Sequence, residues 1–317
     1  MNGGTVFMFS GQGSQYFHMG KPLYDHNETF RGWMQRLDEI VRRTAGASVL
    51  EALYSSARAK GDPFDRTLLT HPAIFMVEYA LAQALIRAGV KPDMVLGVSL
   101  GSFAAAAVAG FVDVEEALQA VLRQAMALEE HGEAGGMTAI LADPALYGED
   151  FIRSRSELAG VNFSTNFVVS AREADLALIG AELKRRGLVY QRLPVSFPFH
   201  SRWIDGAKEA FAPAMRSIGA RSGRLPLACC DRAEILTELS EEFFWDIIRH
   251  PIRFRETAAL VEQKGVRRYI DVGPAGTLAT FLKYGSPAPA SSTVHSILTP
   301  FGGDQKNFAA LTESTGH

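Results

Sequence analysis

Apolar side chains recur along this chain with two rhythms, one of strands and one of helices. Residues 5–9 form a short apolar run, Thr5-Val6-Phe7-Met8-Phe9. It stops at Ser10-Gly11-Gln12-Gly13-Ser14-Gln15, which predicts a strand followed by a glycine-containing turn. Over 72–87, Ile74, Val77, Ala80, Leu81 and Leu85 recur at helical spacing, with Pro72 suited to a first turn and Gly89 to a stop. Residues 94–96 predict a buried strand that runs directly into Gly97-Val98-Ser99-Leu100-Gly101. A small-residue helix over 103–109 follows, ended by Gly110, and then an amphipathic helix over 114–130.

From about Gly132 the texture changes. Short strands are predicted at 136–141, 158–162, 167–170 and 189–194, with a helix over 173–186. Elements of that size in that order predict a small α+β insert. The larger pattern resumes with a helix over 201–218 and a late strand, Tyr269-Ile270-Asp271-Val272, that stops at Gly273-Pro274. Residues 286–292, rich in Pro, Ala and Ser, predict a surface loop. No internal repeat is present.

Composition narrows the function classes. The 317 residues are 47% hydrophobic and 21% charged, the balance of a globular protein with a sizeable core. A net charge of −3 predicts neither a nucleic-acid-binding surface nor a membrane-attracted face. No stretch reads as a membrane span, and the N-terminus lacks the basic and long apolar regions of a signal peptide, so the expected location is the cytoplasm. The two cysteines, Cys229 and Cys230, are adjacent and would point to opposite faces of a strand, which predicts buried thiols. No grouping of Cys, His and acidic residues marks a metal site, and no cofactor is expected.

Candidate chemistry centres on Ser99. A strand before Gly-x-Ser-x-Gly and a helix after it make a nucleophile elbow, in which the serine takes a strained turn above the sheet. The helix N-terminus then supplies N–H groups where an oxyanion would form. An incidental serine in a strand–helix turn is the bland alternative. A serine hydroxyl needs a base. Of the eight histidines, His200 stands out, because Ser196-Phe197-Pro198-Phe199-His200-Ser201 places it after a proline-fixed apolar segment at a predicted strand-to-helix junction. A general serine esterase would add an acidic triad member between the two, with Asp143 or Asp175 as candidates.

Taken together, these motifs resemble the malonyl-CoA:acyl-carrier-protein transacylase family and the acyltransferase domains of polyketide synthases. The resemblance rests on Gly11-Gln12-Gly13-Ser14-Gln15, Gly97 to Gly101, Phe199-His200-Ser201, Pro251-Ile252-Arg253-Phe254 and Asp271-Val272-Gly273-Pro274. It implies an α/β fold: an α/β-hydrolase-like core with a parallel sheet over 1–131 and 198–317, and an inserted ferredoxin-like subdomain over 132–197. It also implies Ser99 as nucleophile and His200 as base, with backbone N–H groups of Gln12 and Leu100 as the oxyanion hole. The substrate would be an acyl thioester on the phosphopantetheine of an acyl carrier protein. A backbone carbonyl would orient the histidine, and the turn at Arg249-His250 is a candidate. Asn162 matches an asparagine near the family's substrate site, a turn asparagine being the equal alternative. Lys184-Arg185-Arg186 and Arg202 are candidate docking cations for an acidic carrier; an ordinary solvated helix face explains the first group equally well.

The pattern breaks where malonyl transferases carry an arginine that pairs with the free carboxylate of the substrate. Twenty-five residues after Ser99 this chain has Gln124, with Arg123 beside it and Ala125 where the family has glycine. Adjacent helical residues point about 100° apart, so Arg123 could substitute only if the helix shifted register. Val98, His71 and Ser102 also replace the family's usual residues around the same pocket. Leaving a buried carboxylate unpaired costs about 3–5 kcal/mol. The substitutions therefore resemble the acyl hydrolases of trans-acyltransferase polyketide assembly lines, which release stalled neutral acyl groups. Malonyl-CoA:carrier-protein transfer is the alternative, and a non-catalytic carrier-docking relic a third.

Overall fold

The computed structural model describes residues 4–219, 221–265, 267–285 and 292–313. Six strands make the larger sheet: β1 (Gly4–Phe9), β2 (Met94–Gly97), β7 (Leu227–Cys229), β8 (Glu234–Leu236), β9 (Arg267–Asp271) and β10 (Thr293–Ser296). Their order is β10-β9-β1-β2-β7-β8, parallel throughout except for the β7/β8 pair. Alternate residues of β1 serve two cores: Phe7 and Phe9 join the main helical core, whereas Val6 and Met8 pack on the other face. Burial on both faces is why these strands read as continuous apolar runs. Cys229 and Cys230 are free and divide between the same two cores, as their adjacency predicts.

The other four strands, β3 (Gly135–Leu141), β4 (Glu157–Phe163), β5 (Asn166–Arg172) and β6 (Val189–Arg192), form a separate antiparallel sheet in the order β4-β5-β3-β6. With a helix at Asp150–Arg153 between β3 and β4, and Glu173–Arg185 between β5 and β6, this is the ferredoxin-like β-α-β-β-α-β arrangement. The two sheets meet at the Pro251–Phe254 motif. Ile252 N–H donates to Ala159 O at 2.7 Å, forming a bridge to β4, and Arg253 N–H donates to Cys230 O at 2.7 Å.

Several elements differ from the pattern reading. The helix expected over 72–87 begins at Thr67 and runs to Arg87, which puts Pro72 inside it. Its first turn is anchored by the Glu129 carboxylate, which accepts from Leu68 N–H at 2.9 Å, a partner no local pattern reveals. The same helix, contrary to the reading that no segment is long enough, matches a membrane span in length and composition; 83% of its apolar window is buried inside the protein. The helix expected over 201–218 is a 3-10 segment, Arg202–Ala207, followed by an α-helix, Lys208–Ser217. Between Gly13 and Pro72 the pattern reading names no element. The structure places there the 18-residue amphipathic helix Glu28–Ala45, with Asn27 capping Phe30 N–H at 2.9 Å. The Pro/Ala/Ser-rich loop lies, for residues 286–291, outside the described residues.

What the fold does for the site is set by register. Phe9 is paired with Gly97 at the C-terminal ends of neighbouring parallel strands. The turn after β1 and the serine after β2 therefore emerge side by side, at the edge where open α/β sheets present ligand sites. Close approach is built in: a Cβ on Gly101 would stand 2.4 Å from Phe9 O, and one on Gly97 2.6 Å from Ser102 Cα.

Candidate active site

Ser99 sits at the elbow between β2 and the Gly101–Ala109 helix with φ 52°, left-handed for a residue with a side chain. His200 also has positive φ, at 60°. Such conformations cost about 1–3 kcal/mol each and persist only where the surroundings impose them. Around Ser99 the surroundings are a backbone lattice: Val98 N–H donates to Phe9 O at 3.0 Å, and Ser102 N–H to Ser99 O at 2.9 Å. His200 is fixed by its own N–H, which donates to Ile248 O at 2.8 Å.

These two residues, 101 positions apart, meet: Ser99 Oγ lies 2.9 Å from His200 Nε2. His200 Nδ1 lies 2.6 Å from the backbone oxygen of His250. A carbonyl only accepts, so the proton resides on Nδ1 and leaves Nε2 bare to take the serine proton. The orienting carbonyl is thus one of the two residues the sequence pointed to. Among the described residues no carboxylate partners His200: Asp143 caps Ala145 N–H at 2.8 Å, and Asp175 lies 3.9 Å from Arg155. That geometry excludes the esterase triad.

Burial pushes the His200 pKa down from 6.5 to about 4; the His250 carbonyl opposes this, and the nearby His250 and Arg249 charges reinforce it. The base is therefore neutral, and competent, at every pH above that value. We expect kcat/KM to stay level from neutral pH downward and to fall only as pH passes below about 4. A pH profile with an acid limb centred near 6.5 would show instead a solvated ring.

Ser99 and His200 open onto a cavity of about 320 Å³ between the two sheets. Gln12, Leu100, Val98, His71, Asn162 and Phe199 all line it. Among the described residues, neither the Gln12 nor the Leu100 backbone N–H has a partner, so both are free to receive a developing negative charge. His71 is buried, its pKa pushed down to about 3 by desolvation. Its Nε2 lies 3.1 Å from Gln12 Oε1, and its ring packs 5.5 Å from that of Phe199. Asn162 lies on β4, not in a turn, and donates to Asn166 Oδ1 at 2.7 Å.

Gln124 is the site residue the structure does not bring to the cavity wall. It is 1% exposed on the inner face of the Val114–His131 helix, and neither side-chain polar atom has a partner among the described residues. Arg123 points outward and is exposed, so no register shift lends it to the pocket. Of the candidate docking cations, Arg185 and Arg186 pair with Glu182, and Arg202 with Glu157 at 2.7 Å; Lys184 is exposed.

Two groupings were outside the reach of sequence reasoning. Asp231, Asp246 and His250 converge within 4.8 Å, with the Arg232 guanidinium 3.1 Å from Asp246 and 3.6 Å from Asp231, an ion-pair cluster behind the orienting carbonyl. Glu78 lies fully buried beneath the turn carrying Gln12. Its only signal was being the sole acidic residue of its helix.

Comparison with known proteins bears on the family and the fold. A family model described as an acyl transferase domain matches residues 6–313. The chain is 44% identical over 315 residues to the polyketide biosynthesis acyltransferase homolog BaeD of Bacillus velezensis, covering 99% of this chain and 97% of that one. It is 42% identical over 308 residues to the homolog PksD of Bacillus subtilis, covering 97% and 95%. Among solved structures, a loading acyltransferase from the avermectin modular polyketide synthase superposes with a TM-score of 0.89 at 27% identity, over 99% of this chain and all of that one. The malonyl-CoA:carrier-protein transacylase of Streptococcus pneumoniae, at 23% identity and a TM-score of 0.79 over 98% of this chain and 99% of that one, shares the fold. An elbow serine, its histidine and a paired hydrolase-like and ferredoxin-like framework thus coincide with sequence similarity along nearly the whole chain, which belongs to the acyl transferase domain family.

Proposed function

We propose that this protein hydrolyses neutral acyl thioesters carried on the phosphopantetheine of an acyl carrier protein, releasing stalled acyl groups in cytoplasmic polyketide biosynthesis. One observation carries the reading: among the described residues, no Lys, Arg, Asp or Glu lines the cavity. Its two histidines, His71 and His200, are held neutral by burial. A malonyl carboxylate entering it would be desolvated without a counter-ion, at a cost of several kcal/mol. An uncharged acyl chain meets Met137, Ala139, Val168 and Leu193 on the wall formed by the second sheet and its edge.

In this mechanism His200 Nε2 removes the Ser99 proton as Oγ attacks the thioester carbon. The oxyanion forms against the Gln12 and Leu100 N–H groups. As the tetrahedral adduct collapses, the carbon–sulfur bond breaks and the imidazolium returns its proton to the leaving thiolate. Water, deprotonated by the same nitrogen, then attacks the acyl-serine, and Ser99 recovers its proton as the acid departs. The proposed steps use Ser99, His200, the Gln12 and Leu100 N–H groups and one water molecule.

The test presents acetyl- and malonyl-loaded carrier protein separately and follows free acid and acyl transfer by mass spectrometry. Acid release from the acetyl form is expected to exceed that from the malonyl form by about 10²-fold or more, from the unpaired-carboxylate cost. Efficient malonyl transfer to a second carrier protein, with little acetyl hydrolysis, would establish the malonyl transferase instead. Absence of any acyl adduct on Ser99 would indicate a carrier-docking relic.

A further inference from the structure

The turn that presents the Gln12 N–H is held from below by a chain of oxygen atoms. Glu78 Oε1 lies 2.6 Å from the Ser10 backbone nitrogen and 2.9 Å from Ser10 Oγ. Ser10 Oγ is 3.1 Å from Ser14 Oγ, which is in turn 2.9 Å from the Gly11 carbonyl oxygen. Each serine has one hydroxyl proton, and a carbonyl can only accept. The Ser14 proton therefore goes to Gly11, and the single Ser10 proton is left to serve two contacts, to Ser14 at 3.1 Å and to Glu78 at 2.9 Å. Two hydroxyl protons serve three contacts, so all three hold a hydrogen only if the carboxyl supplies the third.

The setting of Glu78 fits a neutral acid. It is 0% exposed, and Oε2 has no partner among the described residues, an arrangement far costlier for a carboxylate than for a neutral carboxyl. Desolvation raises its pKa well above the ordinary carboxylate value, outweighing the Ser10 hydrogen bonds that lower it. The ionisable group acting on it is Asp271 of β9, which pushes in the same direction. Asp271 is buried too, raised to about 6, and accepts from Gly273 and Ala279 N–H at 2.8 Å.

We propose that Glu78, as a protonated acid, is a positioning residue for the oxyanion donor: the relay Glu78 to Ser10 to Ser14 to the Gly11 carbonyl fixes the Gly11–Gln12 peptide. The bond is trans, so its C=O and N–H point in opposite directions, and anchoring the carbonyl sets the direction of the Gln12 N–H. Ionised Glu78 would draw the Ser10 proton to itself. Ser14 would then have two acceptors for one proton, and the Gly11 carbonyl would lose its exclusive donor. The inference rests on Ser99 chemistry as proposed above, but the protonation state itself can be read independently of turnover.

The experiment uses the full chain, with acetyl-loaded carrier protein as substrate and Glu78→Gln, Glu78→Leu, Ser14→Ala and Glu78→Leu/Ser14→Ala as variants. Both Ser10 contacts fall on Oε1, so a glutamine oxygen there keeps the bond from the Ser10 N–H but gives no proton to Ser10 Oγ; Glu78→Gln is expected to lower kcat less than Glu78→Leu. Glu78→Leu and Ser14→Ala should each lower kcat about 10–100-fold, a fraction of what deleting an oxyanion donor costs, with KM little changed. The double variant should be no slower than Ser14→Ala, because both cut one relay. Wild-type kcat should decline on the alkaline side as Glu78 ionises, and that of Glu78→Gln should not. Infrared difference spectra should show a protonated-carboxyl band at neutral pH that vanishes in Glu78→Gln. Absence of that band, a Glu78→Gln loss as deep as that of Glu78→Leu, or losses that multiply in the double variant would overturn the proposal. If the band is present but wild type forms no acyl-serine, it is the hydrolase reading that fails.

Discussion

Replacing Ser99 by alanine is expected to abolish the acyl adduct and to lower turnover of acyl-carrier thioesters by at least about 10³-fold. The 2.9 Å contact to His200 Nε2 gives the Ser99 hydroxyl an acceptor for its proton. His200→Ala should cost a comparable factor, because the serine then has no acceptor for its proton. The two residues work as one unit, so the double variant should be hardly slower than either single one. Intact-protein mass spectrometry after exposure to acetyl-loaded carrier protein reads the adduct, and steady-state kinetics reads the rate. A Ser99→Ala enzyme that still accumulates a covalent acyl group would move the nucleophile elsewhere. Multiplying losses in the double variant would mean that His200 acts apart from Ser99.

The second large effect concerns acyl choice. Gln124→Arg places a permanent cation on the inner face of the Val114–His131 helix, where a neutral amide without a partner among the described residues now sits. An arginine can pair with a carboxylate through two parallel hydrogen bonds, which a glutamine cannot match. The malonyl share of the Ser99 acyl-enzyme, relative to acetyl, is expected to rise by up to about 10²-fold when both thioesters compete. The unliganded variant should also melt at lower temperature, since its new charge is buried without a partner. Mass spectrometry of the acyl-serine after competition is the measurement. An unchanged acyl ratio would show that position 124, which does not line the cavity, fails to reach the acyl group even as arginine.

How much of this was legible in sequence varies with the range of the interaction. β1 and β2 were visible because strands buried on both faces are continuously apolar. The Glu173–Arg185 helix and the strands of the second sheet showed clear local periodicity. The start of the Thr67–Arg87 helix was hidden, since its anchor, Glu129, lies 61 residues away. The break at Arg202–Ala207 was hidden because packing imposes it: a Cβ on Gly206 would stand 2.8 Å from His131 O. Ser99 and His200 were found by motif, and their residue types suffice for that. The ring environment of His200, and so its neutral state, was not.

From sequence alone came the candidate nucleophile, the candidate base and the turn carrying Gln12, as residue types in local motifs, and the family resemblance added the missing cation at position 124. The tertiary structure decided the rest. It chose the His250 carbonyl over a carboxylate as the partner of His200, lined the cavity, among the described residues, without Lys, Arg, Asp or Glu, left Gln124 off that lining and placed Glu78 beneath the turn carrying Gln12. Those outcomes depend on which distant segments are brought together and on how far each group is taken out of water. Desolvation and the direction of a hydrogen bond exist only once the chain has folded.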